Sequence, residues 1–208
     1  MTASLTAAII AGGRARRLGG RSKSDLAIDG TRIIHRQLSV LGQVAEHILI
    51  VTNDLHRFRT SGLRVCADLI PDAGPLGGLY TALTRSPTPH TLVVAADLPF
   101  LHGPMLRHLH HRLGDAEAVV PRDDHRLQPL CAVYDGRCVP KLRARLDAGR
   151  LSVMEMIDDL RVTTPGQNEM SAFGRPTRLF HNVNTPEDLA RATTLAGDHP
   201  VPVHPDRS

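Results

Sequence analysis

The chain has 208 residues, of which 41% are apolar and 22% charged, and its formal net charge is +4. This length suits one well-buried domain, and no apolar run approaches the length of a membrane span. The basic excess would suit a nucleic-acid binder, but such a protein needs aromatic side chains on which bases stack. With no Trp, two Tyr and four Phe, we keep nucleic-acid binding only as a minor alternative.

The apolar run near the N terminus is about one strand long, unlike the apolar stretch of a secretory signal. Cys66, Cys131 and Cys138 form neither a Cys-x-x-Cys pair nor an even disulfide framework. We expect reduced thiols that serve packing, no association with a membrane, and a cytoplasmic location.

Short apolar runs alternate along the chain with segments of helical period. The predicted strands are Leu5–Ala11, His47–Thr52, Leu63–Cys66, Thr91–Ala96, Ala116–Val120 and Pro129–Tyr134. The predicted helices cover Ile34–Leu41, Leu76–Leu83, Leu106–Leu113, Lys141–Leu146, Val153–Leu160 and a last segment that begins at Thr185-Pro186. This alternation predicts an α/β fold, a three-layer sandwich with a mostly parallel, Rossmann-like central sheet. We expect a single domain over residues 1–196 and a frayed tail over residues 197–208.

The first predicted strand runs into a glycine loop that is strongly basic. Gly12 and Gly13 let the backbone approach a ligand closely, and no acidic residue follows before Asp25. The loop cations are Arg14, Arg16, Arg17, Arg21 and Lys23. Neither the P-loop spacing nor the dinucleotide-binding spacing occurs, so a nicotinamide oxidoreductase is a distant alternative. We predict a site for a polyanion such as a nucleoside triphosphate, with a surface turn as the alternative.

Two polar residues end predicted strands at the edge where open α/β sheets bind ligands. Asp97 follows Ala96, and a lone carboxylate there would repel a triphosphate unless it held Mg2+ that bridges the phosphate oxygens. Capping of the next helix is the alternative for Asp97. Asn53 follows Thr52, where its amide would pair with a purine or simply form a turn.

A second acidic segment precedes a predicted helix. Asp68 and Asp72 stand before Gly74-Pro75-Leu76-Gly77-Gly78, whose glycines let a ligand approach the backbone amides. Asp72 would support a ligand contact or cap the helix.

Three histidines, His108, His110 and His111, fall on one arginine-rich predicted helix. No carboxylate in that helix completes a metal triad. We predict a solvated face rather than a metal site.

Asn182 and Asn184 alternate in an extended segment, so their side chains project to one face. They precede Thr185-Pro186-Glu187-Asp188, a helix start with an N-cap threonine and proline at the first helical position. The two amides would hydrogen-bond a polar heterocycle, or be ordinary asparagines ahead of a cap.

These motifs together resemble the molybdenum cofactor guanylyltransferases of the MobA type, members of the nucleotidyltransferase superfamily. The matching segments are Ala11-Gly12-Gly13, Arg17-Leu18-Gly19, Lys23, Gly74-Pro75-Leu76, Ala96-Asp97-Leu98-Pro99 and Asn182-Val183-Asn184-Thr185-Pro186-Glu187-Asp188-Leu189. The resemblance implies the nucleotidyltransferase version of the fold and transfer of GMP from GTP to molybdenum-bound molybdopterin, with release of pyrophosphate. It also implies Mg2+ as cofactor and transient contact with proteins that make molybdopterin or accept the product.

The resemblance assigns roles to individual residues. Arg17, Lys23 and Asp97 would be catalytic, and Asp97 would hold the metal. The nucleotide would be bound by Ile10, Ala11, Gly12, Gly13, Lys23, Asn53, Asp68 and Asp97. The acceptor would be bound by Asn182 and Asn184, with Arg126 and Gln128 on a loop that resembles the family's acceptor side.

Two positions depart from the family pattern. Ser22 precedes the loop lysine where the family usually has aspartate, and Gly149-Arg150 is followed by Leu151 and Ser152 where an acceptor-binding arginine is often found.

Three other functions stay open. A cytidylyltransferase of the same cofactor, or a nucleotidyltransferase for another small phosphate, would use the same fold, although such relatives usually carry proline in place of Ser22. A non-catalytic carrier of the cofactor could keep the arginine loop without needing Asp97.

Overall fold

The computed structural model describes residues 4–12, 26–58, 62–123 and 126–197. The strands are β1 (Leu5–Ile10), β2 (Ala27–Ile28), β3 (Thr31–Arg32), β4 (His47–Val51), β5 (Arg64–Cys66), β6 (His90–Ala95), β7 (Ala118–Val119), β8 (Cys131–Asp135) and β9 (Val162–Thr163). The helices are α1 (Ile33–Leu41), α2 (Gly74–Arg85), α3 (Gly103–His111), α4 (Val139–Asp147), α5 (Val153–Ile157), α6 (Gln167–Ser171), α7 (Pro176–Leu179) and α8 (Pro186–Gly197).

Seven of these strands form one sheet in the order β5-β4-β1-β6-β8-β7-β9. Strands β5, β4, β1 and β6 run parallel, β8 is antiparallel to both of its neighbours, and β9 is parallel to β7. The parallel half brings the carboxyl ends of four strands to one edge. That edge is where an open α/β sheet binds its ligands.

Helices cover both faces of the sheet, because successive side chains of a strand point to opposite sides. On β1, Ala7 and Ile9 pack in one apolar cluster with α1 and α3. Ala8 and Ile10 pack in the other with α2, α4 and α5. The predicted three-layer, mostly parallel fold is therefore confirmed.

The long predicted elements all occur, but some bounds differ. The strand predicted at Ala116–Val120 is only Ala118–Val119, and the helix predicted to reach Leu160 ends at Ile157. The β2–β3 hairpin, β9, α6 and α7 were not predicted. These elements span two to five residues each, too few for a periodic apolar pattern to form.

A third, smaller apolar cluster joins the hairpin to α8. It contains Ile28, Phe100, Val183 and Ala192 among others, and so holds the segment before α8 against the sheet edge. Helix α8 extends to Gly197, and the rest of the predicted tail lies outside the described residues. The single-domain boundary stays a prediction.

The prediction of a solvated histidine face is wrong for His110. His110 is only 9% exposed, and its Nε2 lies 2.9 Å from Nδ1 of His90. Helix α3 buries Met105, Leu106 and Leu109 on the same face, so His110 falls on the apolar side. Within the described ranges, no group of three or more His, Cys, Asp or Glu residues could hold a metal ion.

The cysteines are free thiols, and Cys131 and Cys138 are buried. Burial raises the pKa of each of these two thiols to about 12. They are therefore packing residues, as predicted. None of the helices in the described part of the chain is long and apolar enough to cross a membrane.

Candidate active site

The carboxyl edge of the parallel strands surrounds a cavity of about 360 Å³, which we call the nucleotide cavity. Its lining consists of Ile10, Ala11, Gly12, Asn53, Asp68, Asp72, Gly74, Pro75, Gly78, Ala95, Ala96, Asp97 and Leu130. Six residues predicted to bind nucleotide are thus brought together: Ile10, Ala11, Gly12, Asn53, Asp68 and Asp97. The other predicted members, Gly13, Arg17 and Lys23, lie outside the described residues, as do the remaining loop cations.

The floor of the nucleotide cavity is where β1 leaves the sheet. The sheet pattern continues past the named strand, since Ala11 donates its N–H to the Val51 carbonyl at 2.8 Å and Ala96 donates to the Ile10 carbonyl at 3.1 Å. Gly12 follows, and apart from its neighbours in the chain none of the described residues has an atom within 4 Å of where its Cβ would lie. The backbone at Ala11 and Gly12 is therefore open to a close ligand.

Asn53 and Asp68 form a reciprocal pair at the wall of the cavity. Asn53 Nδ2 donates to Asp68 Oδ2 at 2.9 Å, and the Asp68 N–H donates to Asn53 Oδ1 at 3.0 Å. Burial raises the pKa of the Asp68 carboxyl, and the hydrogen bond from Asn53 opposes that rise. Asn53 thus orients Asp68 and favours its ionised form.

Helix α2 approaches β1 closely beside this pair. A Cβ on Gly78 would lie 2.8 Å from Ile10 Cγ2 and 3.7 Å from Asp68 Oδ1, so only glycine fits there without a shift. The buried Thr81 hydroxyl accepts from the Leu69 N–H at 2.9 Å and donates to the Gly77 carbonyl at 2.8 Å. These contacts tie the acidic segment to the helix.

The suggestion that Asp72 caps α2 is wrong. The N-cap residue is Ala73, and no side chain within the described residues caps the helix. Asp72 instead lines the cavity in a left-handed conformation with φ of 57°. The uncapped helix start, at Gly74 and Pro75, borders the same cavity and adds partial positive charge to it.

Asp97 stands on a tight turn between β6 and α3, and it lines a second cavity of about 190 Å³, which we call the acceptor cavity. The acceptor cavity is also lined by Ala95, Leu98, Gln128, Pro129, Leu130 and Asn182. Capping of α3 by Asp97 is wrong, because the N-cap is His102. Asp97 therefore lies at the boundary of two adjoining cavities.

The turn of Asp97 is held from several directions. The Val183 N–H donates to the Asp97 carbonyl at 3.0 Å, and Leu98 N–H reaches the Ala95 carbonyl at 3.3 Å. Gln37 of α1 donates from Nε2 to the carbonyls of both Ala95 and Leu98. Gln37 was not predicted as a site residue, because its only signal in the sequence is an amide on the buried face of a helix.

The structure separates the two predicted acceptor asparagines. Asn182 lines the acceptor cavity, whereas Asn184 lines neither cavity in the described part of the chain. The Asn184 N–H donates to Asp188 Oδ2 at 3.0 Å, and Asp188 N–H donates to Thr185 Oγ1 at 3.1 Å. The predicted helix start is confirmed as a capping arrangement.

The loop before β8 contributes one of its two candidate residues. Gln128 lines the acceptor cavity, and its Nε2 donates to Asp123 Oδ2 at 2.7 Å. Arg126 is exposed and is not among the lining residues described for either cavity. Arg150 and Leu151 are also exposed, and neither is among the lining residues described for either cavity.

The donor set suits a divalent cation that is shared with a substrate. Asp68, Asp72 and Asp97 line one cavity, but within the described residues no group of three or more His, Cys, Asp or Glu side chains is arranged to hold a metal ion by itself. Mg2+ usually binds one or two carboxylates and takes its other oxygens from phosphates and water. The residues present fit that pattern.

This sheet, with Gly12 and Asp97 at its carboxyl edge, is the arrangement that the resemblance predicts for a nucleotidyltransferase. The family of MobA-like NTP transferase domains matches residues 7–162, well over half of the chain, and the chain belongs to that family.

Relatives span nearly the whole chain. The chain is 34% identical over 191 residues to the "Probable molybdenum cofactor guanylyltransferase" of Pelotomaculum thermopropionicum, covering 92% of this chain and 93% of that protein. It is 30% identical to the "Molybdenum cofactor guanylyltransferase" of Desulfosudis oleivorans, covering 90% and 94%.

Solved structures share the fold. Molybdopterin-guanine dinucleotide biosynthesis protein A from Archaeoglobus fulgidus superposes with a TM-score of 0.80 at 24% identity, over 93% of this chain and all of that one. The 2-C-methyl-D-erythritol 4-phosphate cytidylyltransferase of Thermus thermophilus superposes with a TM-score of 0.67 at 14% identity, over 91% and 98%. At these identities the likeness bears on the fold alone.

Proposed function

We propose that this chain transfers GMP from GTP to molybdenum-bound molybdopterin and releases pyrophosphate. The observation that carries the proposal is the position of Asp97, which lines both the nucleotide cavity and the acceptor cavity. A nucleotidyl transfer needs its two substrates side by side with negative charge neutralised between them. The names of the relatives supply the substrate pair.

On the nucleotide side, the open backbone at Ala11 and Gly12 would receive the guanine and ribose. Asp68, oriented by Asn53, would accept hydrogen bonds from the nucleoside. Arg17 and Lys23 of the glycine loop would hold the triphosphate, because guanidinium and ammonium groups pair with phosphate oxygens. Gly13 would leave the backbone free to follow the phosphates.

Asp97 would hold Mg2+ at the boundary of the two cavities. When bound, the cation withdraws charge from the α-phosphate and favours in-line attack by the phosphate of the acceptor. The task of the chain is then to keep both phosphates in line, so no covalent enzyme intermediate is required.

On the acceptor side, Asn182 and Gln128 would hydrogen-bond the polar pterin. Asn184 would act through the backbone of the same segment, since its N–H is bound to Asp188. The reaction implies transient contact with proteins that make molybdopterin or accept the product, and consumption of GTP fits a cytoplasmic enzyme.

The decisive experiment compares GTP, CTP and ATP with Mg2+, with and without molybdenum-loaded molybdopterin. Pyrophosphate release and the nucleotide attached to the pterin are both measured. We expect acceptor-dependent release from GTP alone. Attachment of CMP would make the chain a cytidylyltransferase, and tight GTP binding without turnover would make it a carrier.

A further inference from the structure

Gln37 is the polar exception on the buried face of α1. The helix buries Ile33, Ile34, Gln37 and Leu41, and Gln37 has no exposed surface. Helical period calls for an apolar side chain at this position. A buried amide costs free energy unless it is hydrogen-bonded, so its partners are informative.

Those partners flank Asp97. Gln37 Nε2 donates to the Ala95 carbonyl at 2.8 Å and to the Leu98 carbonyl at 2.9 Å. A carbonyl oxygen can only accept a hydrogen bond, so the NH2 group of Gln37 must face both carbonyls, and each of its two hydrogens forms one of the two bonds. Among the described residues, nothing donates to the Oε1 atom of Gln37, so the amide is oriented by these two carbonyls alone.

The two bonds span the turn that carries Asp97. Ala95 is the last residue of β6, and Leu98 follows Asp97 directly, so one side chain clamps the backbone before and after the carboxylate. The third support is the Val183 N–H, which donates to the Asp97 carbonyl from the Asn182 segment. The turn is therefore fixed by α1 on one side and by the acceptor segment on the other.

We propose that Gln37 is a positioning residue that aims the Asp97 carboxylate at the divalent cation shared by the two substrates. This inference rests on the proposed function of Asp97. Residues that orient a metal ligand without touching the metal commonly change metal affinity by about 10- to 100-fold when altered. Gln37 acts through the backbone of Asp97's neighbours and does not touch substrate.

The test uses Gln37→Met, which keeps an unbranched side chain of similar length and removes both donors. Mn2+ affinity for the protein–GTP complex is measured by electron paramagnetic resonance in the absence of acceptor, and GTP affinity is measured in EDTA. We expect Mn2+ affinity to fall about tenfold or more, with GTP affinity in EDTA changed less than about twofold. In turnover, kcat should fall and the Mg2+ concentration for half activity should rise.

Ile34→Val is the matched control, because it trims the same buried face of α1 and removes no hydrogen bond to the turn. It should leave Mn2+ affinity at the wild-type value. Wild-type Mn2+ affinity in a folded Gln37→Met variant would overturn the inference.

If Gln37→Met does not fold, Gln37→Glu takes its place in the same assay. Failure of both to fold would show that Gln37 serves α1 itself, and would also reject the positioning role. Because metal binding is measured without transfer, an absence of GMP transfer in the wild type would reject the proposed function and leave this inference to be decided separately.

Discussion

At the scale of single residues, the side-chain amide of Asn53 serves Asp68 with both of its polar ends. The Nδ2 and Oδ1 atoms of Asn53 each already have one partner at the cavity wall. To recognise a purine directly, as predicted, Asn53 would have to use its second amide hydrogen and its remaining Oδ1 lone pair. The contacts that the structure shows join the Asn53 amide to the carboxylate and to the backbone N–H of Asp68. We therefore expect Asn53 to act largely through Asp68.

Replacement of Asn53 by Ala removes both hydrogen bonds. Burial already raises the pKa of Asp68 and the Asn53 bond opposes it, so the variant should raise that pKa further. If the ionised carboxylate binds the nucleoside, kcat/KM for GTP falls as pH drops through this pKa. The acidic limb of the pH profile should move to higher pH, and KM should rise about tenfold, the effect of one charge-assisted hydrogen bond.

The exposed neighbour Asp54→Ala serves as the control for Asn53→Ala and should retain the wild-type profile. An unshifted acidic limb in Asn53→Ala would contradict the role assigned to the pair.

Replacement of Asp97 by Asn keeps the size of the side chain and removes its charge. We expect kcat for GMP transfer to fall by about 10²-fold or more, the usual cost of losing one electrostatic contact to the transition state. The thermal midpoint should stay near that of the wild type, and GTP affinity in EDTA should persist. Undiminished turnover would remove Asp97 from the proposed metal site.

At the scale of elements, β6 and α3 meet through a pair of histidines. His90 Nδ1 lies 2.9 Å from His110 Nε2, and His90 Nε2 lies 3.7 Å from Asp135 Oδ2. Burial, followed by the charges of His90 and His111, lowers the pKa of His110 to about 4. The environment of His110 therefore favours its neutral form.

This contact predicts an acid-sensitive stability. An unfolded His110 takes up its proton near pH 6.5 and the folded one only near pH 4, so the stabilising effect of the neutral form is present above pH 6.5. It is lost progressively between pH 6.5 and about 4. The loss is on the order of 3 kcal/mol in the free energy of unfolding.

Urea unfolding of His110→Gln at pH 7 and pH 5 measures that effect. The variant should show a smaller loss between the two pH values than the wild type does. His35→Gln, which removes an exposed histidine from α1, should behave as the wild type, and equal losses in all three proteins would contradict the assignment.

The long elements were predictable because each carries its own periodic signal. Leu76, Leu79 and Leu83 recur at helical spacing and form the buried face of α2. The two-residue β9 has no such signal, and its place in the sheet depends on pairing with β7. Burial of His110 depended on where α3 meets the sheet, which local composition does not specify.

At the scale of the whole molecule, the parallel half of the sheet gathers distant segments at one edge. The nucleotide cavity is lined by the ends of β1 and β6, by Asn53 after β4 and by the start of α2, so a ligand that binds there should stabilise the entire fold. GTP with Mg2+ at about 100 times its dissociation constant should add about 2.7 kcal/mol. For a chain of this size the thermal midpoint should rise by roughly 5–10 °C.

The same experiment with Asp97→Asn separates the metal from the nucleotide. The variant should keep the shift that GTP causes in EDTA and lose the additional shift caused by Mg2+. An equal Mg2+-dependent shift in both proteins would place the metal on other groups.

The amino-acid sequence by itself determined the fold class, the family resemblance and the sheet-edge residues Ala11, Gly12, Asn53 and Asp97, and the resemblance added Asp68. It could do so because the ends of parallel strands meet at a common edge, so a residue that follows a buried apolar run is placed by its own neighbours in the chain.

Only the tertiary structure decided that Asn53 is paired with Asp68, that Asn182 and not Asn184 lines the acceptor cavity, and that Gln37 supports the turn of Asp97. The Gln37 bonds join residues separated by 58 and 61 positions. Such contacts arise from the packing of one element against another, and a local pattern reports only that a side chain is buried.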